Sequence, residues 1–188
     1  INRMLSVGML VKKAMKGHVD LLGPASEVQA ELMGIPSFET PDYSELFAEE
    51  KEMIGKLKKA FLMVAGGAVQ KYGPDLDGHQ QLLMAAADIL IEIYMAESTI
   101  LRTEKLAKTK GEAAVKEQIA MAQLYLYKAV DIITQKGKEG IVSFAEGDEQ
   151  RMMLMGLRRY TKYTNMPNVI GLREIITSKL VAENAYCF

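Results

Sequence analysis

Residues 82–106 read LLMAAADILIEIYMAESTILRTEKL, and this stretch decides the fold. Leu82, Leu83, Ala86, Ile89, Leu90, Ile93, Ile100 and Leu101 recur at the three- and four-residue spacing of one α-helical face, and no alternation of period two competes with it. The apolar core of the stretch, 82–96, carries Asp88 and Glu92 and falls short of the roughly 20 apolar residues that a bilayer crossing needs. It therefore predicts a long helix that buries one side against protein. Glu92 and Glu97, five residues apart, stand about 140° apart around the axis and share no face. One is expected at a solvated edge and the other against an arginine.

Outward from this helix the punctuation is sparse. Upstream, "YGPDLDGHQQ" at 72–81 is a stop followed by a start, with Gly73 and Pro74 ending one helix and Asp77 with Gln80 arranged to cap the next. The preceding helix is expected to begin under a Thr40 or Asp42 cap and to run to about Tyr72. Its buried face comprises Leu46, Met53, Leu57, Phe61, Val64, Ala68 and Tyr72, with Lys56, Lys58 and Lys59 outward. Downstream, Ile119, Ala122, Leu126, Ala129, Val130, Ile133, Gly137, Gly140, Ile141 and Phe144 keep helical register from about Glu112 to Ala145. Small residues at 65–68 and 85–87 allow helix axes to approach closely. Shorter helices are predicted over about 24–33, 148–163 and 169–184. The last presents Leu172, Ile175, Ile176 and Leu180 on one side. The expected fold is all-α, an antiparallel helical bundle of three to four long helices with shorter flanking helices.

The chain's first residues are already in helical stride. Met4, Val7, Gly8, Val11, Ala14, Met15, His18 and Val19 form a stripe that needs a partner, and no capping residue precedes Ile1. The expectation is a helix that begins upstream, in a longer protein.

Composition bounds the chemistry. With 23 basic against 24 acidic residues, nucleic acid is not an expected partner. The single cysteine, Cys187, leaves no internal disulfide and fits a reducing compartment. His18 and His79 are the only histidines, and neither stands in the Glu-x-x-His pattern of a di-iron bundle. Asp75, Asp77 and His79 are close enough for a weak metal site, with helix capping as the competing reading. No Gly-x-Gly-x-x-Gly follows a strand, and no serine or threonine has an evident base. Catalytic, cofactor-binding and metal-binding residues are each expected to number none in this chain.

Three strings carry a family resemblance. "INRML" at 1–5 resembles the residues just after the Glu-Gly-Thr-Asn-Glu segment of flavin-dependent acyl-CoA dehydrogenases, ahead of the last helix of their catalytic fold. The 82–106 stretch is similar to the long helix of the second helical domain that the very-long-chain acyl-CoA dehydrogenase branch appends at its C-terminus. "SKLVAENAYCF" at 178–188 resembles that domain's terminal segment. The resemblance implies three parts: 1–20, the last helix of the catalytic fold; 21–42, a linker with a short helix; and 43–188, the appended bundle. It implies that the intact protein holds FAD and α,β-desaturates long-chain fatty acyl-CoA thioesters. In that chemistry the Glu of Glu-Gly-Thr takes the α-proton and flavin N5 accepts the β-hydride. That base and the flavin site belong upstream, so the 188-residue fragment is expected to hold no flavin and to be inactive.

The implied partners are the protein's own catalytic domain, a second subunit in a homodimer, the acyl-CoA substrate and an electron-transfer flavoprotein-type acceptor. The implied localisation is cytoplasmic. Arg3 matches the family's arginine shortly after the motif, with a helix-anchoring role. The rival reading is a free-standing helical adaptor that uses exposed methionines such as Met152, Met153 and Met155. Membrane association is doubtful, because the stretch 31–50 carries Glu31, Glu39, Asp42, Glu45, Glu49 and Glu50 and no basic residue before Lys51. Negligible binding to anionic vesicles is expected in a flotation assay, and strong, salt-sensitive partition would contradict it.

Overall fold

In the computed structural model, which describes residues 2–34 and 42–188, the described residues form seven α-helices and no strand. They are α1 (Asn2–Met15), α2 (Leu22–Met33), α3 (Ala48–Tyr72), α4 (Gln80–Lys110), α5 (Lys116–Phe144), α6 (Gly147–Tyr160) and α7 (Val169–Glu183). At 25, 31 and 29 residues, α3, α4 and α5 are the long members, each about 37–47 Å in length. Short 3₁₀ turns at Gly73–Gly78 and Glu112–Val115 join them.

Side-chain pairs fix the directions. Lys51 reaches Glu104 at 2.9 Å and Lys58 reaches Glu97 at 2.6 Å, so numbers rise along α3 as they fall along α4. Gln123 donates to Glu50 and the Tyr72 hydroxyl donates to the Ser143 carbonyl, so α3 and α5 run parallel. The three helices pack mutually, α6 closes against α3 and α5, α2 lies on α3, α1 lies on α4 and α7 on α5.

The core follows the predicted stripes. Met53, Leu57, Phe61, Val64 and Ala68 of α3 are buried with Leu82, Leu83, Ala86, Ile89, Ile93 and Ile100 of α4 and Leu126, Ala129, Ile133, Ile141 and Phe144 of α5. Three positions depart from expectation. Leu101 is exposed, because it stands about 100° beyond Ile100 and off the buried line that continues through Ile100, Thr103 and Ala107; Met15 and His18 also face solvent. The first helix stops at Met15, where Gly17 adopts a positive φ of 72°, and does not continue to Asp20.

Glycines set the closest approaches. A Cβ on Gly67 would stand 2.8 Å from the Phe144 ring, one on Gly140 would meet a Val64 methyl at 3.0 Å, and one on Gly137 would meet Leu157 at 2.7 Å. Contacts this short cannot admit even a methyl group without movement.

Helix starts differ from the predicted caps. α3 begins at Ala48, and Asp42 instead accepts from the Ser44 N–H and hydroxyl in a local turn; Thr40 lies outside the described residues. The residue leading α3 is Phe47, at φ 63° with its ring buried, so core packing holds a bulky residue in the left-handed region. Asp77 does not cap α4 but pairs with Lys12 of α1 at 3.4 Å; His79 leads the helix with no side-chain cap and stacks on Tyr72 with ring centroids 3.6 Å apart.

Two glycines of α3 should respond oppositely. Gly55→Ala, at an exposed position with open space around its Cβ, should gain about 1 kcal/mol, or roughly 2–4 °C in Tm. Gly67→Val should lose about 1–3 kcal/mol through overpacking. Thermal unfolding of the two variants beside the parent checks both.

Candidate functional site

Helix packing determines which polar side chains of this chain meet. Glu92 of α4 accepts a hydrogen bond from the Tyr125 hydroxyl of α5 at 2.9 Å. Burial, and then the Glu92 carboxylate, push the Tyr125 pKa up to about 12. Glu97 pairs with Lys58, so neither carboxylate meets the expected arginine. Both face other helices of the bundle, about 140° apart as their spacing requires.

The acidic stretch before Lys51 is likewise tied into the fold. Glu31 on α2 accepts from Lys59 of α3 at 2.6 Å and from Arg159 of α6 at 3.3 Å, so one carboxylate joins three helices. The Tyr160 hydroxyl lies beside it without a hydrogen bond of good geometry, and burial with that negative charge pushes the Tyr160 pKa up to about 12. Glu49 accepts from the Asn165 backbone and side chain after α6, and Glu50 accepts from Gln123. Glu39 lies outside the described residues. Beyond the bundle, buried Glu117 meets Lys179 of α7 at 3.5 Å, and Arg3 of α1 bonds Asp88 of α4. The anchoring expected of Arg3 is thus made toward α4.

Chemically these pairs are ties between helices. None joins a nucleophile to a base, and the described residues hold no cluster of three or more His, Cys, Asp or Glu side chains able to ligate a metal. Asp75, Asp77 and His79 do not converge into such a cluster.

The clefts are apolar or shallow. One between α1 and α3, lined by Val7, Leu10, Val11, Phe61, Leu62 and Val69 among others, has a volume of about 50 Å³ and almost no polar lining. That is far below the several hundred Å³ of a small-molecule site; grooves of about 450, 520 and 600 Å³, between α5 and α6, between α1 and the start of α4, and between α5 and α7, are open to solvent. Of the helix N-termini, those of α3 (Glu49, Glu50), α5 (Glu117) and α6 (Asp148, Glu149) carry carboxylates in the first turn, which disfavour an anion, whereas those of α1, α2, α4 and α7 carry none.

What the arrangement offers is surface. On α4, Ile91, Tyr94 and Met95 stand exposed with Leu101, and on α1 Leu5 and Met9 are exposed at a groove shared with Gln80 and Leu83. Sequence reasoning placed the exposed methionines on α6, where Met153 is in fact buried, Met152 half-buried and only Met155 fully open. The overlooked signal is a second stripe, 91, 94, 95 and 101, running beside the buried one on the same helix.

Comparison with known proteins is consistent along the chain. A family model for the acyl-CoA dehydrogenase C-terminal domain matches residues 56–159, from the first turns of α3 to the last of α6. A probable acyl-CoA dehydrogenase of Bacillus subtilis (strain 168) is 36% identical over 183 residues, covering 97% of this chain and 30% of that protein. The crystal structure of an acyl-CoA dehydrogenase complexed with FAD from Bacillus anthracis superposes with a TM-score of 0.91 at 38% identity, over 100% of this chain and 32% of that one. The chain thus spans about a third of the length of these relatives.

The Glu92–Tyr125 bond gives a pH test. The Tyr125 and Tyr160 pKa values rise from 10 in the unfolded chain to about 12 in the fold. Their contribution is therefore complete below pH 10 and lost as pH climbs through 12. Tyr125→Phe should cost about 1 kcal/mol at pH 7 and make the loss of stability between pH 10 and 12 shallower than in the parent. Urea unfolding across pH 7–12 measures both.

Proposed function

The chain belongs to the acyl-CoA dehydrogenase family, as its C-terminal domain, and from that premise we propose that it is the structural accessory part of a larger FAD-dependent enzyme that α,β-desaturates long-chain fatty acyl-CoA thioesters. The observation that carries this is the match over the whole chain to about a third of an FAD-complexed acyl-CoA dehydrogenase. FAD supplies hydride acceptance elsewhere in the intact protein. The apolar cleft between α1 and α3, at about 50 Å³, is too small for a flavin and supports placing it outside these residues.

The division proposed is 1–20 as the last helix of the catalytic fold, 21–42 as linker and 43–188 as the appended bundle of the very-long-chain branch. Two features support it. α1 meets the bundle chiefly through α4, and α2 contributes a single buried residue, Val28, with Leu32 partly buried beside it and the Glu31 ties at its C-terminal end. In this reading the chain's own residues do no proton or hydride chemistry. They hold helices in place beside the catalytic domain, within a cytoplasmic homodimer that passes electrons to an electron-transfer flavoprotein-type acceptor. Among the described residues no helix is long and apolar enough to cross a membrane.

Purified full-length protein should be yellow and desaturate acyl-CoAs, with kcat/KM at least tenfold higher for long than for short chains. The 188-residue chain alone should show neither a flavin spectrum nor turnover. Flavin and activity recovered with the short chain, or a full-length protein that binds no flavin, would overturn the proposal.

A further inference from the structure

Helix α7 is the one described helix that contains no buried residue. Leu172, Ile176 and Lys179 are half-buried on the side that meets α5, while Ile170 and Val181 stand 69% and 79% exposed. A helix of 15 residues with so little buried is held weakly, and such units open first in a native fold. α2 is shorter still but not as free, because Val28 is buried and the Glu31 carboxylate reaches both α3 and α6.

The root of α7 is fixed. Glu49 of α3 accepts from both the backbone N–H of Asn165, at 2.6 Å, and its side chain, at 3.1 Å. Asn168 accepts from the Gly171 N–H at 3.1 Å, so the helix carries its own cap wherever it sits. Among the described residues, 166–168 make no hydrogen bond to any helix other than α7, which leaves them as a pivot between root and cap. The far end is held by charge. Glu117, in the first turn of α5, is 5% exposed, and Lys179 reaches it at 3.5 Å with the Phe188 ring centroid 5.8 Å from the same ammonium. Lys116 stands farther off, at 4.0 Å, with its side chain mostly in solvent. The open groove along this seam also carries two carboxylates of α7, Glu174 and Glu183.

Without Lys179, Glu117 would be a buried carboxylate among like charges, and lifting α7 is the smallest movement that returns water to it. Once α7 is lifted, the positive end of α5 still favours the Glu117 carboxylate, so release leaves no orphaned charge. We propose that α7 is a releasable strap that swings as a unit about residues 166–168, with Lys179 on the Glu117 carboxylate as the latch that holds it down while α3 to α6 stay closed.

Hydrogen–deuterium exchange of the full-length protein, read by mass spectrometry on peptides from each helix, tests it. In the parent, α7 amides should exchange at least about tenfold faster than those of α4, yet more slowly than an unfolded peptide. Lys179→Met should speed α7 about tenfold further and leave α3 to α5 unchanged. Adding Glu117→Gln to that variant removes the stranded charge and should reverse more than half of the change on a logarithmic scale. Exchange of α7 in the parent as slow as α4, or as fast as an unfolded peptide, would overturn the strap. So would an unchanged α7 in Lys179→Met, or faster exchange through the whole bundle. A double variant that reverses less than half of the change would overturn the latch.

Discussion

A Val64 methyl of α3 lies against Gly140 of α5, and the Phe144 ring of α5 lies against Gly67 of α3, so the two parallel helices meet where each presents a bare backbone to the other's side chain. The same device recurs where Leu157 of α6 faces Gly137 and where Leu32 of α2 faces Gly156. These contacts fix the spacing of the bundle, and the spacing fixes which polar groups can meet. Glu50 finds Gln123 and Glu31 finds two cations because the axes are held this close. Widening that seam would leave partly buried carboxylates without their partners, a loss larger than the apolar contacts alone.

The long elements were legible because a stripe sustained for seven or eight turns leaves little room for another reading. The Leu82–Ile100 face of α4 and the Ala122–Phe144 face of α5 are buried as their spacing implies. Starts and flanks were less legible. Phe47 is an improbable residue at φ 63°, and only the core around its ring explains why α3 waits until Ala48. Asp77 has the spacing of a cap, but Lys12, 65 positions away, competes for its carboxylate, and a local pattern contains no information about that lysine. Partner choice for Glu92 and Glu97 depended in the same way on which helices become neighbours.

For function, the residues themselves argued only that no catalytic set was recognisable, while three short strings pointed to the family. The ties explain the silence. A side chain that fastens two helices has the same chemistry as one that serves a substrate, and composition cannot separate the roles. Geometry does so, because Lys51, Lys58, Lys59 and Lys179 each end on a carboxylate of another helix. The exposed α4 stripe was hidden for a different reason: Ile91 and Met95 are as apolar as their buried neighbours, and only the position of α1 shows which side of the helix is left open.

Position 47 faces two demands that no common amino acid meets together. Glycine would relieve a left-handed backbone that costs an L-residue about 1–2 kcal/mol, but it would remove an aromatic ring whose burial is worth about 1.5–3 kcal/mol. Asparagine, better suited to that conformation, would bring an amide into an apolar niche. Divergent descendants of this sequence should therefore retain a large apolar group there and tolerate the contorted link, making the residue a marker of ancestry through packing alone.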